Sequence, residues 1–175
     1  MDIATVTFAL LFYFATIVLV AGVAKKIHQY AKAPAPLRIP TMPAPMTRGG
    51  VVLRMCRELF LFHSLFRANR WIWLFGFVFH AALVIVLLRH FRYFTDPVWA
   101  PIAAIQPFGV YAGGAMIVAL AGLWARRFLV ERIRYISGPS DHLMLAMLIA
   151  IGLTGLGTKF VARTDIVAVK AFFLG

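Results

Sequence analysis

Four long apolar runs constrain this chain more than any other feature. They cover residues 3–24, 71–88, 108–125 and 143–158. A helix rises about 1.5 Å per residue, so about 20 residues cross the roughly 30 Å of bilayer hydrocarbon. The first three runs are long enough, and the fourth becomes so if it extends to residue 161 with Lys159 snorkelling. The sequence therefore predicts an all-α fold, a polytopic transmembrane bundle with four helices.

Composition agrees with a membrane protein and excludes several other classes. The chain is 62% apolar with a mean hydropathy of +0.87, whereas soluble domains are about 45–50% apolar. Its net charge is +12, but the basic residues sit at the ends of apolar runs, which indicates membrane topology and not nucleic-acid binding. The single cysteine, Cys56, excludes an intrachain disulfide, c-type haem attachment and an iron–sulfur cluster held by this chain alone. We expect Cys56 to be buried.

The distribution of Lys and Arg predicts the orientation. Residues 25–70 hold nine of them and residues 126–134 hold four, against five in the remaining segments. The positive-inside rule places both basic segments in the cytoplasm and the N-terminus in the periplasm. No basic residue precedes the first run, so we interpret it as an uncleaved helix and not a signal peptide. The predicted location is the inner (cytoplasmic) membrane, and residues 1–175 are predicted to form one domain with a cytoplasmic loop at 25–70.

Two segments flank the predicted helices. Residues 33–46, APAPLRIPTMPAPM, are rich in proline and predict an extended loop. Residues 51–66 have the pattern of an amphipathic interfacial helix, which is either a plain anchor or a docking face for a soluble partner. Another apolar segment begins near residue 167, and we expect it to start a fifth helix of a longer protein.

The second run, FGFVFHAALVIVLLRHF at residues 75–91, carries two histidines, His80 and His90. A lone imidazole in a membrane helix is usually satisfied by an interhelical hydrogen bond, but two on one helix weaken that interpretation. Ten residues correspond to a rise of about 15 Å and an angular offset of about 80°. This spacing favours two sites at different depths over one shared metal site. A b-type haem accepts imidazole ligands and fits between helices without covalent attachment.

Other polar residues have two interpretations each. Arg89 and Arg92, which flank His90, either anchor the helix end by snorkelling or bind haem propionates or a quinone carbonyl. His142 is a weak candidate for a further haem ligand, at a helix start capped by Ser140 or Asp141. His28 and His63 are placed at the interface. Gly113 and Gly114 permit the close approach of a helix or of a flat macrocycle.

Several segments in order resemble one known family. They are APLRIPT, ELFLFHSLFRANRWIWLFGFVFH, LLRHFRYF, ERIRYISGPSD and TDIVAVKAFFLG. Together they are similar to the DsrM family, the membrane cytochrome b of the Dsr complex (DsrMKJOP) associated with sulfite reduction. The paired histidines, the YAGGAM stretch and the turn-then-Asp start of the fourth helix also resemble the respiratory nitrate reductase gamma subunit, a more distant di-haem cytochrome b.

The resemblance implies a function and a set of partners. His80 and His90 would be axial ligands of two haems b, with the remaining ligands on a fifth helix beyond residue 175. Menaquinol or another quinone would react near His90, where the gamma subunit has a lysine and this chain has Ile105 and Gln106. Electrons would pass to or from a DsrK-like iron–sulfur subunit related to heterodisulfide reductase, in a complex with DsrJ-, DsrO- and DsrP-like subunits.

The sequence thus predicts an electron-transfer subunit of a quinone-linked oxidoreductase complex in dissimilatory sulfur metabolism. A different function is a membrane anchor with one haem or none, in which His80 and His90 are structural. A small transporter is disfavoured because no broken helix or inverted repeat is evident.

Overall fold

The computed structural model describes residues 3–33, 45–163 and 165–174. Those residues form helices joined by short turns and contain no strand, which confirms the all-α prediction. Four of the helices are long and apolar enough to cross a membrane: Val6–Lys32, Arg70–Tyr93, Phe108–Leu129 and Pro139–Phe160. The four predicted spans are confirmed. The predicted proline-rich loop falls mostly on residues 34–44 and so lies outside the described part of the chain.

Two compact units divide the chain, Met1–Pro45 and Met46–Gly175. In the first unit, α1 (Ile3–Lys32) extends eight residues past the end of the first apolar run at residue 24. Lys25 and Lys26 end the apolar run but favour helix, so the backbone hydrogen bonds continue beyond it.

In the second unit, α2 (Arg48–Leu61) and α3 (His63–Ala68) replace the single amphipathic helix predicted for residues 51–66. The break is at Phe62, whose backbone is left-handed with φ 47° and ψ 46°. Glu58 stabilises this elbow, because its Oε2 accepts hydrogen bonds from the Ser64 amide at 2.9 Å and the Ser64 hydroxyl at 2.7 Å. Cys56, on α2, is exposed, so the expectation that it is buried was wrong. None of the α2 residues is buried within this chain.

The helix α4 (Arg70–His90) continues into a 3-10 turn at Phe91–Tyr93. A short helix α5 (Ala100–Ile105) then leads into α6 (Phe108–Leu129). The helices α4 and α6 are antiparallel, since Gly109 packs under Arg89 and Gly122 packs under Phe75. A Cβ on Gly122 would lie 2.6 Å from Phe75 Cε1, so these glycines set how closely the two helices approach.

A turn of helix α7 (Glu131–Ile136) connects α6 to α8 (Pro139–Phe160). Of the two predicted capping residues, Asp141 supplies the bond: its Oδ2 accepts the Gly138 amide at 3.0 Å. Asp141 also pairs with Arg127 at 3.3 Å. Gly113 faces Leu156, and Gly152 faces Ile117, so α8 is antiparallel to α6.

The helix α6 therefore lies between α4 and α8, and the buried core forms along it. Its members are Ala82, Ala112, Met116, Leu120 and Leu145. The last described helix, α9 (Ile166–Leu174), packs at the His90 end of α4. There Lys170 Nζ pairs with Asp96 Oδ1 at 3.1 Å, and the rings of Phe94 and Phe173 lie 5.0 Å apart.

Candidate haem-ligand site

The two histidines of α4 each make a hydrogen bond of the same kind, to the backbone carbonyl four residues earlier. His80 Nδ1 lies 2.7 Å from the Gly76 carbonyl oxygen, and His90 Nδ1 lies 2.6 Å from the Val86 carbonyl oxygen. A carbonyl oxygen only accepts, so in each ring Nδ1 is the protonated nitrogen that donates. The neutral ring then carries its lone pair on Nε2.

This arrangement is compatible with metal ligation. A metal-bound imidazole commonly donates its other N–H to a backbone carbonyl, which fixes the ring orientation and raises the basicity of the ligating nitrogen. Both rings are exposed, and no hydrogen bond engages Nε2 of either ring within the described residues. His80 and His90 therefore each present a free nitrogen donor on the surface of α4.

The two donors belong to separate positions. The helix α4 is continuous from Arg70 to His90, so His80 lies at its middle and His90 at its end, about 15 Å further along the axis. The part of the chain that the structure describes brings no three His, Cys, Asp or Glu side chains together. A metal bound at either position would thus take most of its ligands from another source. Haem iron meets this condition, because its porphyrin supplies four of them.

Aromatic rings surround His80. The rings of Phe79 and Phe62 lie 4.9 Å and 5.1 Å from the imidazole. The Phe62 ring reaches this position because the elbow between α2 and α3 folds back onto α4. Trp73 fixes the same elbow, since its indole N–H donates to the Leu61 carbonyl at 2.7 Å. The α2–α3 segment is therefore in direct contact with the central histidine.

At the His90 end of α4, Tyr93 lies beside the imidazole and Arg92 lies beside Tyr93. The Tyr93 ring lies 5.9 Å away, and the Arg92 guanidinium carbon lies 5.8 Å from the centre of the Tyr93 ring. Arg92 Nη1 donates to Gln106 Oε1 at 2.7 Å. The aliphatic part of Arg89 crosses Gly109, where its Cδ fills the space that a Cβ would take.

These contacts locate both predicted arginines but do not test their predicted roles. Arg89 packs against the α6 backbone, and Arg92 contacts the turn before α6. Binding of propionates or quinone by Arg89 and Arg92 stays a prediction, and so does iron ligation by His80 and His90. Sequence reasoning did not find the Arg92–Gln106 contact, because fourteen residues and a short helix separate the two side chains.

His142, on the long helix α8, has a different hydrogen-bonding pattern from His80 and His90. His142 Nδ1 accepts the indole N–H of Trp124 at 3.1 Å, and its ring lies 5.0 Å from that of Phe128. His63 begins α3 and is half-buried. His142 therefore forms a hydrogen bond between α6 and α8, and its weak candidacy as an iron ligand stays a prediction.

The two adjacent glycines of α6, Gly113 and Gly114, have different surroundings. A Cβ on Gly113 would lie 3.3 Å from Leu156, so this glycine permits the close approach of α8. A Cβ on Gly114 would meet no atom within 4 Å. Helix packing accounts for Gly113, whereas none of the described residues packs against a Cβ position on Gly114.

Comparison with known proteins gives two relatives with the same name. The chain is 33% identical to the "Hdr-like menaquinol oxidoreductase cytochrome b-like subunit" of Archaeoglobus fulgidus, over 93% of this chain and 61% of the relative. It is 31% identical to the protein so named in Archaeoglobus profundus, with the same coverage of each chain. The chain thus spans about three fifths of the length of these relatives.

No family model matches the chain, and no solved structure matches it. The two relatives support the predicted likeness to DsrM-type cytochromes at the level of their printed name. With the four apolar helices they also support a multi-pass membrane protein. The more distant likeness to the nitrate reductase gamma subunit stays a prediction.

Proposed function

We propose that the chain is part of a membrane cytochrome b that binds two haems b and exchanges electrons with a menaquinone-type pool. The proposal rests on one observation. His80 and His90 each donate a hydrogen bond from Nδ1 to the carbonyl four residues earlier, which leaves Nε2 of each exposed ring free to bind iron. The relatives' printed name, a cytochrome b-like subunit of a menaquinol oxidoreductase, supports the cytochrome b and menaquinone parts of the proposal.

The residues of α4 have defined tasks in this proposal. Bound haem supplies the one-electron carrier. His80 and His90 would hold the haem iron through Nε2, and the carbonyls of Gly76 and Val86 accept from Nδ1 and so keep Nε2 unprotonated. The helix holds the two histidines about 15 Å apart along its axis, so haems bound there would supply a path for electrons across part of the bilayer. Any further protein ligand of each haem would come from another helix.

Quinol oxidation or quinone reduction is proposed to occur beside His90. Arg89 and Arg92 lie at this end of α4, and both are half-buried. No ion pair to either guanidinium occurs among the described residues. A half-buried cation without a carboxylate favours a ligand with oxygen acceptors. A quinone carbonyl and a haem propionate both supply such oxygens.

The assembly and its location follow the sequence resemblance. We propose an inner-membrane protein with a periplasmic N-terminus and a cytoplasmic segment at residues 25–70, in one cytochrome b domain. Its proposed partners are a DsrK-like cytoplasmic iron–sulfur subunit and DsrJ-, DsrO- and DsrP-like subunits, and its proposed role is in dissimilatory sulfur metabolism. The relatives' printed name, an Hdr-like menaquinol oxidoreductase, supports a complex of this general type.

A second candidate function is a membrane anchor with one haem or none. It is favoured by α2, which exposes apolar and basic side chains on an amphipathic helix suited to an interface. In this alternative His80 and His90 have a structural role only and do not bind iron.

Haem content separates the two functions. The full-length protein, purified from its membrane in mild detergent, is analysed as its pyridine haemochrome with the polypeptide quantified in parallel. We expect two haems b per polypeptide. One haem or none would favour the anchor function and contradict the two-site proposal.

A further inference from the structure

The helix α2 (Arg48–Leu61) has an apolar face that lies mostly uncovered within the described residues. Val52, Met55 and Leu59 recur on that face at helical spacing, and their exposed fractions are 61%, 67% and 68%. Contiguous exposed apolar surface of this kind marks a site of contact with a membrane or with another protein. The face of α2 is therefore expected to have an occupant.

The opposite face of α2 is basic. Arg54 and Arg57 are three residues apart, so they are neighbours on the helix surface, and both are exposed. The single carboxylate of the helix is Glu58, whose Oε2 accepts hydrogen bonds from the Ser64 amide and hydroxyl at 2.9 Å and 2.7 Å. Arg57 has no ion pair among the described residues. The charge of this face is complementary to an anionic surface.

The end of α2 is held beside the start of a membrane-spanning helix. The indole N–H of Trp73, in the first turn of α4, donates to the Leu61 carbonyl at 2.7 Å, and the Phe62 ring lies 6.5 Å from that of Phe77. Trp71, in the same turn of α4, is 68% exposed, and tryptophan at the end of a span typically lies at the level of the lipid headgroups. The apolar face of α2 therefore ends where the lipid-facing surface of α4 begins.

From these contacts we infer that α2 lies along the membrane surface and binds anionic phospholipid, with Arg54 and Arg57 at the lipid phosphates. A basic amphipathic helix at the boundary of headgroups and acyl chains buries its apolar face and keeps its polar face at the phosphates. Arginine suits this task because its planar guanidinium offers paired N–H donors to a phosphate. The occupant is lipid and not a soluble protein, because the face adjoins a span that lipid already surrounds.

Cys56 supplies a probe for the position of α2, since it is exposed on this helix and is the single cysteine of the 175 residues. A nitroxide is attached to it in the full-length protein, with any cysteine outside these residues replaced by serine. The protein is placed in nanodiscs of phosphatidylcholine or of an equimolar mixture with phosphatidylglycerol. Spin relaxation by oxygen, which concentrates in the bilayer, and by a water-soluble nickel chelate then gives the ratio of immersed to free α2.

The test variant combines Arg54→Gln with Arg57→Gln, which removes two cations and keeps good helix formers. Its matched control combines Arg132→Gln with Arg134→Gln, which removes the same charge from exposed residues of α7. We expect wild-type α2 to be immersed in the anionic nanodisc and to be released by added salt. The test variant should lower the ratio of immersed to free α2 about 25-fold, since each arginine contributes about fivefold. The control should behave like the wild type.

A wild-type nitroxide that stays accessible to nickel in the anionic nanodisc would overturn the inference. So would a nitroxide shielded from both reagents, because protein and not lipid would then cover α2. Equal immersion in the two lipid compositions and in the test variant would contradict it in favour of an apolar anchor without a preference for anionic lipid. If the double variant does not fold, Arg57→Gln alone decides, with an expected decrease of about fivefold.

Discussion

The two sides of α4 are built differently. On the side that faces α6, Ala82 is buried in the core, and Phe75 covers Gly122 of the neighbouring helix. On another side the helix exposes His80 and His90, whose ring nitrogens have hydrogen bonds only to their own helix. The first side packs against α6, and the second side presents two imidazoles whose Nε2 atoms make no hydrogen bond among the described residues.

His142 shows what a structural imidazole looks like in the same molecule. Its Nδ1 accepts a hydrogen bond from Trp124 and so links α8 to α6. His80 and His90 make no such link between helices in the described residues. A polar side chain in a membrane helix costs free energy unless it is satisfied or functional. His142 thus contributes to helix packing, and a ligand role for the histidines of α4 stays a proposal.

The largest effect on the packed side is expected for Gly122→Ala. The new Cβ would lie 2.6 Å from the Phe75 ring, so the helices must separate, and overpacking of this kind costs about 1–3 kcal/mol. The matched control is Gly114→Ala on the same helix, where a Cβ meets nothing within 4 Å and alanine favours helix by about 1 kcal/mol over glycine.

Unfolding of the purified protein by denaturing detergent measures both variants. Gly122→Ala should lower the free energy of unfolding, whereas Gly114→Ala should leave it unchanged or raise it. Equal destabilisation by the two substitutions would mean that α4 and α6 do not pack as described.

A smaller effect is expected where α6 meets α8. Trp124→Phe removes the N–H that His142 Nδ1 accepts, and a hydrogen bond of this kind contributes about 1 kcal/mol. In a double-mutant cycle with His142→Ala, we expect a coupling free energy of about that size and no loss of haem in any variant. Haem loss in His142→Ala would show that this imidazole is a ligand and would remove the contrast with α4.

The smallest effect concerns the elbow that contacts His80. Hydrogen bonds from the Ser64 hydroxyl and amide, assisted by the charges of His63 and Arg54, lower the pKa of Glu58. A carboxyl whose folded pKa is depressed stabilises the fold above its unfolded pKa, and this contribution is lost as the pH falls through the folded value. Glu58→Gln should therefore abolish the acid sensitivity of the elbow while barely changing global stability.

Amide hydrogen exchange at Ser64 measures this effect. Protection in the wild type should decrease as the pH is lowered below the ordinary range of a glutamate, after correction for the intrinsic exchange rate. In Glu58→Gln, protection should be low and should not follow the pH. A pH response that persists in the variant would show that another group holds the elbow.

The four membrane-spanning helices could be predicted from the sequence, because the thickness of the bilayer directly sets the length of apolar run that can cross it. It was less informative about helix ends. The helix α1 reaches Lys32, and α8 begins at Pro139, because helical hydrogen bonding continues through polar residues outside the hydrocarbon.

The spacing of His80 and His90 predicted two positions, and a helix alone supplies the carbonyl four residues back that orients each ring. Contacts between segments that are distant in the chain could not be predicted from the sequence. Phe62 has no preference for a left-handed backbone, so neither the elbow nor its ring contact with His80 was foreseen. The contact between Arg92 and Gln106 likewise depends on how α4 meets the turn before α6.

The central claim is that the imidazoles of His80 and His90 hold separate irons. Its most direct test is the haem content per polypeptide of His80→Ala, His90→Ala and His142→Ala, each in the full-length protein and each checked for folding by circular dichroism. The account predicts that either α4 variant loses one haem of two and that His142→Ala keeps both. Full haem content in both α4 variants would contradict it.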